Sequence, residues 1–126
     1  RTNIDKFPFA TDTNASDVGD LTVAREATAG QNSQDFGFTS GGVSGSNLRN
    51  TIDRFPFATN TNASDVGDLT VARYPRGGCS SVEYGYTSGG FGGKEIIDKF
   101  LFASNVDATD VGDLSVPRRA TAGQQV

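Results

Sequence analysis

The sequence predicts an all-β repeat protein, and three observations support this prediction. A 20-residue stretch that begins at Ile4 returns at Ile52 with two changes and, more loosely, at Ile97, so the spacings are 48 and 45 residues. A period of this length indicates stacked supersecondary units. The composition includes 16 Gly and 9 Phe in 126 residues, no Met and no Trp, which favours strands and turns over long helices. Phe7 and Phe9 fall on one side of the first stretch and Lys6 on the other, which is the period of two that a strand requires.

Each repeat is predicted to contain about four short strands. In the first repeat, residues 2–10 form a strand, residues 11–16 a polar turn, and residues 17–23 a second strand with Val18 or Leu21 facing inward. Pro8 cannot donate a ladder hydrogen bond, which favours an edge position or a bulge. Small residues at 26–33 predict a tightly packed inner strand. Residues 35–42 predict an aromatic strand that ends in a glycine pair, and residues 43–50 an outer loop.

The chain holds two full periods and a remainder, and it opens in the middle of a repeat. Repeat units bury their apolar faces against one another, so about three or more are needed for a stable stack. We therefore expect a processed, trimmed or partial piece of something longer, with a deliberately chosen segment as the competing explanation.

Charge and composition exclude several classes of partner. The net charge of −4 argues against nucleic acid and anionic membranes as main partners, because phosphate binding needs a basic face. No run approaches the roughly 18 apolar residues of a membrane helix. The single cysteine, Cys79, allows no internal disulfide.

Three recurring features resemble a kelch-type repeat. They are an arginine followed five residues later by glycine (Arg25 with Gly30, Arg73 with Gly78), an aromatic strand ending in a glycine pair (residues 36–42 and 84–90), and a strand with Asp and Phe before an Asn/Thr turn (residues 52–62). The usual tryptophan of that family is absent, and Val66 or Leu69 would replace it.

The kelch resemblance implies β-propeller blades in an incomplete ring. Residues 1–23 would form a partial blade, residues 24–71 and 72–116 one blade each, and residues 117–126 the first strand of a further blade. Propellers have at least about four blades. We therefore expect further chain, or further copies of this chain, to complete the ring.

The short motifs GYTSGG, IDKFPFA and DVGDL are also similar to repeats in virion or tail-associated proteins of marine tailed phages. This second resemblance implies a virion-associated or extracellular location.

The acidic turns are the best candidates for metal binding, because oxygen ligands at alternate positions suit Ca²⁺. The candidate ligands are Asp12, Asn14, Asp17, Asp65, Asp68, Asp107 and Asp110. An EF-hand loop would need Gly and Glu where this sequence has Asp17 and Val23. The preferred interpretation is a set of Asx turns and surface carboxylates with no cofactor, and Ca²⁺ remains the alternative.

A second set of recurring residues is predicted to hold the units together. These structural positions are Arg25, Arg73, Arg118, Gly41, Gly42, Gly89, Gly90, Asp20, Asp68 and Asp113. An arginine–carboxylate fork between Arg73, or its equivalent in the next unit, and Asp65 or Asp68 would fix the geometry between neighbouring units.

Catalysis finds little support in the sequence. There is no histidine, which removes the commonest general base and the ligands of the copper site used by kelch-family oxidases. Cys79 stands where Gln31 and Gln124 stand in the other copies, so we interpret it as a tolerated substitution. The repeats are also nearly identical, whereas one active site needs copies that diverge.

The sequence therefore predicts a non-enzymatic structural or recognition module of a larger assembly, such as a virion or tail appendage. Residues 43–50 and 74–82, where the copies differ most, would contact a protein or glycan partner. The alternative is a carbohydrate-binding extracellular propeller, with or without Ca²⁺. The aromatic residues Phe36, Phe38, Tyr84 and Tyr86 are expected in the core, with a sugar-stacking surface as the other interpretation.

Overall fold

The computed structural model describes residues 1–75 and 77–123. Those residues form twelve strands and no helix, all in antiparallel sheets, which confirms the all-β prediction. No helix long and apolar enough to cross a membrane occurs in these two ranges. The predicted inner strand at residues 117–126 extends to residues 124–126, and the predicted loop 74–82 includes residue 76; these positions lie outside the described residues.

The strands are arranged in three successive sheets and a small hairpin. An N-terminal pair joins β1 (Asn3–Lys6) to β2 (Ser16–Asp20). The central sheet has the order β3 (Ala29–Asn32), β4 (Phe36–Ser40), β7 (Thr51–Pro56) and β8 (Ser64–Asp68). The C-terminal sheet has β9 (Gly77–Ser80), β10 (Tyr84–Ser88), β11 (Lys94–Leu101) and β12 (Thr109–Arg118) in that order.

The connection at residues 43–50, predicted to be a loop, contains a small hairpin. Strands β5 (Val43–Ser44) and β6 (Asn47–Leu48) pair across a turn at Gly45, which has a φ of 62°. Glu26 and Val43 exchange two backbone hydrogen bonds of 3.0 and 2.9 Å, so the hairpin is tied to the start of the central sheet.

The first strand of the repeated stretch ends at or before the same position in every copy. Strand β1 stops at Lys6, two residues before Pro8, and β7 stops at Pro56. In the third copy Leu101 replaces proline, and β11 likewise ends at Leu101. The strand predicted at residues 2–10 is therefore shorter than expected, and the third copy shows that proline is not required to end it.

The hydrophobic core lies between the central and C-terminal sheets. Phe38 on β4 is buried and stacks on Phe102 at a centroid distance of 4.7 Å, while Phe100 lies 5.7 Å away. Val66 and Leu69, the residues proposed to replace tryptophan, are buried in the same cluster. Of the four aromatic residues expected in the core, Phe38 is buried there and Phe36 packs against it, whereas Tyr84 and Tyr86 are half-buried.

Candidate functional site

A buried polar cluster joins the central and C-terminal sheets and is centred on Asp98 of β11. We call this group of Thr70, Arg73 and Asp98 the clamp. Thr70, just after β8, donates to this carboxylate from its backbone N–H at 3.1 Å and from its hydroxyl at 2.6 Å. Arg73 donates from Nη1 at 2.8 Å, and both charged side chains are fully buried. Arg73 Nη2 also donates to the hydroxyl of Thr87 on β10 at 3.1 Å. One carboxylate therefore joins the end of one sheet to the middle of the next.

The same clamp occurs one repeat earlier, between the N-terminal pair and the central sheet. Asp53 on β7 accepts from the N–H of Thr22 at 2.9 Å and from its hydroxyl at 2.6 Å. Arg25 Nη2 lies 2.9 Å from the same carboxylate, and again both charged side chains are fully buried. Arg25 also donates to the carbonyl of Thr39 on β4 at 3.3 Å. The clamp is thus a property of the repeat.

Burial makes these pairs sensitive to the loss of either member. Burial lowers the pKa of Arg25, and the Asp53 carboxylate acts in the opposite direction by favouring the charged guanidinium. The threonine hydrogen bonds and the arginine charge at each carboxylate offset much of the desolvation cost, whereas removing one member leaves a buried, uncompensated charge. Each clamp therefore tolerates only the docking geometry that brings arginine to aspartate.

The clamp corrects the predicted arginine partner. Arg73 binds Asp98 instead of Asp65 or Asp68, and Arg25 binds Asp53. The reason is a bulge in the strand, where the register shifts between Ile52 and Asp53 and again between Ile97 and Asp98. The bulge breaks the alternation of sides, so Ile52 and Asp53 are both fully buried.

Asp20 and Asp68 instead dock neighbouring units through their backbone. The N–H of Asp68 donates to Asp107 Oδ1 at 3.0 Å, and the carbonyl of Asp68 accepts from Ala108 at 2.8 Å. Asp20 makes the equivalent bonds with Asn62 and Ala63 at 3.1 and 2.8 Å.

The glycine of the same motif lets two backbones meet. Gly67 has a φ of 151°, and a Cβ there would lie 2.6 Å from the carbonyl oxygen of Val106. A side chain at this position would both strain the backbone and separate the units.

Each glycine pair lies against the backbone of the arginine that begins the next unit. Gly42 donates its N–H to the carbonyl of Arg73 at 2.9 Å, and Gly90 donates to the carbonyl of Arg118 at 3.0 Å. Gly41 and Gly89 have φ values of 64° and 65°. A Cβ on Gly41 would lie 2.5 Å from the Arg73 carbonyl oxygen, so the absence of a side chain lets the Arg73 backbone approach closely. Arg118 itself is exposed, as is Asp113.

The acidic turns act chiefly as hydrogen-bond acceptors. Asp17, Asp65 and Asp110 each accept the N–H of the glycine two residues later, at 3.2, 3.1 and 3.0 Å, which is an Asx turn. Asp17 also accepts from Asn3 at 2.8 Å. Asp12 and Asn14 are exposed. Across residues 1–75 and 77–123, no three His, Cys, Asp or Glu side chains gather at one point that could hold a metal ion.

Asp68 is the carboxyl group of these turns with a perturbed pKa. Partial burial raises its pKa, and the neighbouring carboxylates of Asp65 and Asp107 raise it further.

A cleft of about 1160 Å³ opens between the hairpin turns of the central and C-terminal sheets. Its wall includes the ring of Phe36, the amide of Asn32 and the carboxylates of Asp35 and Glu83. Arg54 lies over the Phe36 ring at 5.0 Å, and Phe36 also packs against the hydrophobic core. Cys79, on β9, is half-buried and is not among the residues that line the cleft.

Sequence reasoning missed Asp53, Asp98, Thr22 and Thr70, although a signal was present. An aspartate follows isoleucine at the same place in all three copies, and a hydroxyl residue recurs at positions 22, 70 and 115. A charged residue that repeats beside isoleucine in the same strand indicates a buried partner as readily as it indicates solvent.

Comparison with known proteins leaves the family open, since no protein-family model matches the chain and no curated protein matches its sequence.

We expect Asp98→Ala to lower the free energy of unfolding by about 3–5 kcal/mol, because it leaves the buried Arg73 guanidinium without its counter-charge. Chemical denaturation in dilute solution measures the change. The matched control is Asp5→Ala, at the same position in the first copy but exposed, for which the loss should stay within about 0.5 kcal/mol. Equal losses in both variants would contradict a clamp that depends on burial.

Asp68→Asn should raise the free energy of unfolding near pH 7, by up to about 0.5 kcal/mol as for other surface changes. The raised pKa means that the folded state binds a proton at Asp68 more readily than the unfolded state, so the charged group destabilises the wild type above that pKa. This cost is relieved as the pH falls through the raised pKa.

The advantage of Asp68→Asn should therefore shrink between pH 7 and about pH 4, near the ordinary pKa of aspartate. Denaturant titrations at several pH values test this expectation. Asp113→Asn is the control, because Asp113 is exposed. An advantage that grows on acidification would contradict the sign.

Proposed function

We propose that the chain is a non-enzymatic structural or recognition module of a larger assembly, built from kelch-like propeller blades. The observation that carries this proposal is the clamp, which recurs with nearly the same distances at both interfaces between successive sheets. The buried charged groups of Arg25, Arg73, Asp53 and Asp98 are all used to join units. Such use of buried charge suits a frame that holds its units at a fixed angle.

The strand order supports the blade interpretation. The central sheet and the C-terminal sheet each run through four antiparallel strands in chain order, apart from the small β5–β6 hairpin. The first strands of the two sheets, β3 and β9, lie side by side: the N–H of Asn32 donates to the Ser80 hydroxyl at 2.9 Å. Gln31 reaches across to the carbonyl of Tyr86 at 3.1 Å. Blades of a propeller meet in this way around a central axis.

The setting of the assembly follows from the resemblance to phage repeats. A virion or tail appendage, and hence an extracellular or virion-associated location, is part of the proposal. In such a module the frame would be constant, and the loops at residues 43–50 and 74–82 would make the specific contacts.

Insertion of one extra unit tests the modular frame. Duplicating residues 24–71 after residue 71 places Thr70 before a second Arg25 and Asp53, so it creates one more complete clamp. We expect a folded protein with a higher free energy of unfolding, because repeat proteins gain an interface with each added unit.

The control is the same insertion with Asp53→Ala in the added unit alone, which should lose most of the gain. A longer chain that is less stable than the original would contradict the modular frame. Circular dichroism and denaturant unfolding provide both measurements.

A carbohydrate-binding function is the second candidate, and the cleft between the two hairpin turns favours it. The half-buried aromatic ring of Phe36, beside Asn32, Asp35 and Glu83 in the cleft, is suited to a sugar ring, which has apolar faces and hydroxyl edges. If the cleft is a glycan site, a glycan array should show binding that Phe36→Ala abolishes.

The control for the array is Phe9→Ala, which alters a ring that is 96% exposed and distant in sequence from the cleft. Running the array with and without a chelator reports whether Ca²⁺ assists binding. No binding in either condition would favour the purely structural function.

A further inference from the structure

The cleft between the hairpin turns is built from the same segment of two successive units. One wall includes the turn at residues 33–35, and the other wall includes the turn at residues 81–83, which lies 48 positions later in the repeat. Residues 101–103, at the end of β11, complete the wall of the second unit. The cleft is therefore a product of the junction between two units, and another junction of the same kind forms another cleft.

The turn of the central unit is open to solvent even though a neighbouring unit follows it. Gln34 and Asp35 are exposed, and the C-terminal sheet comes directly after the central sheet in the chain. Val82 and Glu83, the equivalent residues of the next unit, are exposed too. An exposed turn is therefore a property of a unit that already has its neighbour.

Hydrogen bonds hold each turn in one shape. The N–H of Ser33 donates to the carbonyl of Phe36 at 2.9 Å, and the N–H of Phe36 donates to the Ser33 hydroxyl at 3.1 Å. The N–H of Phe57 donates to the carbonyl of Asp35 at 3.0 Å, which fixes the turn to the end of β7. The turn at residues 81–83 has the same three bonds, at 2.8, 3.0 and 2.9 Å. A preformed wall lowers the entropic cost of binding a ligand.

Each turn contributes one carboxylate to the cleft, from Asp35 in one unit and Glu83 in the next. Among the described residues that line the cleft there is no Lys or Arg. Arg54, on β7, is engaged with the ring of Phe36. Carboxylates accept hydrogen bonds from hydroxyl groups and repel other anions. The cleft therefore suits an uncharged, hydroxyl-rich ligand and disfavours an acidic one.

Apolar surface lies beside these carboxylates. Val82 is 94% exposed in its turn, and Leu101 and Ala103 also line the cleft. Sugar rings combine apolar C–H faces with hydroxyl edges, so they match a lining that mixes apolar and acceptor groups. In the central unit Gln34 replaces Val82, so the composition of the cleft wall changes at this position from unit to unit.

We infer that each junction between successive units forms one subsite for an uncharged polysaccharide, so that an array of units binds one polymer chain at several subsites. The protein and a homopolysaccharide both repeat along their length, and successive subsites therefore meet the same sugar. Nucleic acid and acidic polysaccharides also repeat, but the carboxylates of the cleft disfavour them. This inference rests on the carbohydrate-binding function proposed above and names its ligand class.

Repetition makes affinity depend on the length of the ligand. When two subsites are linked, the second one meets the same polymer at a high effective concentration, so the affinity for a long polymer rises with each added unit. A short oligosaccharide occupies one subsite and gains nothing in this way. The comparison of long and short ligands of one sugar therefore distinguishes repeated subsites from a single site.

The unit insertion described above tests the repeated subsites, because it adds one junction. Affinity electrophoresis in gels that contain dextran, mannan, laminarin or galactan measures binding to uncharged polymers. At least one of them should retard the wild-type chain, and the insertion should bind that polymer at least about tenfold more tightly. In isothermal titration calorimetry, a short oligosaccharide of the same sugar should bind the insertion with twice the stoichiometry and an affinity that changes by less than about threefold.

The control is the insertion with Asp35→Lys in the original unit alone. That residue lines the added junction and not the one that follows it, so the variant should lose the gain for the polymer and keep one subsite.

The charge of the walls is tested by exchanging it. Asp35→Lys combined with Glu83→Lys should abolish retardation by the uncharged polymer and produce retardation by alginate, an acidic polymer that should not retard the wild type. Asp12→Lys combined with Glu95→Lys makes the same change of charge at exposed residues that do not line the cleft. This second pair should bind as the wild type does, and circular dichroism reports the folding of each variant.

A wild type that no uncharged polymer retards, or that alginate retards as strongly, would overturn the inference. An insertion that folds more stably without binding the polymer more tightly would also overturn it, and would leave the modular frame intact. If the glycan array shows binding that depends on Phe36 while the insertion gains no affinity, the carbohydrate-binding function stands and the repeated subsites are wrong.

Discussion

The contact on which the rest of the structure depends is the one that a threonine and an arginine make with a buried aspartate, Asp53 or Asp98. Between the N-terminal pair and the central sheet, Asp53 accepts the Thr22 hydroxyl and pairs with Arg25. Between the central and C-terminal sheets, Asp98 works beside the stacked rings of Phe38 and Phe102. A hydrophobic contact tolerates sliding, whereas a buried ion pair with defined hydrogen bonds does not. The clamp therefore sets the position of each sheet relative to the last.

Much of the fold could be read from the sequence because its signals are local. The period, the strand alternation, the Asx turns and the glycine pairs each depend on residues that are close in the chain. The clamp could not be read in this way. Arg73 and Asp98 are 25 residues apart, and nearer carboxylates such as Asp68 competed for the assignment. The deciding feature is the bulge beside Asp98, which moves that residue to the inner side of the strand. The alternation of side chains in the sequence does not reveal this bulge.

Within each repeat, the residues that build the interfaces are constant between copies, and the residues that line the cleft vary. Positions that build the interfaces are the same in the copies: the strand aspartate, the hydroxyl residue, the arginine and the glycines. The turns that line the cleft differ, with Gln34 and Asp35 in one unit and Val82 and Glu83 in the next. Recognition in repeat proteins usually resides in such variable positions on a constant frame.

The sequence separation of the clamp partners has a consequence for folding. Thr22 and Asp53 are 31 residues apart, and Thr70 and Asp98 are 28 apart. Each new unit thus closes a loop of similar, modest size, and the entropy lost in closing it does not increase as the chain grows. Folding can then proceed by successive addition at a nearly constant rate per unit, so the topology itself sets no upper limit on the length of an array of this kind.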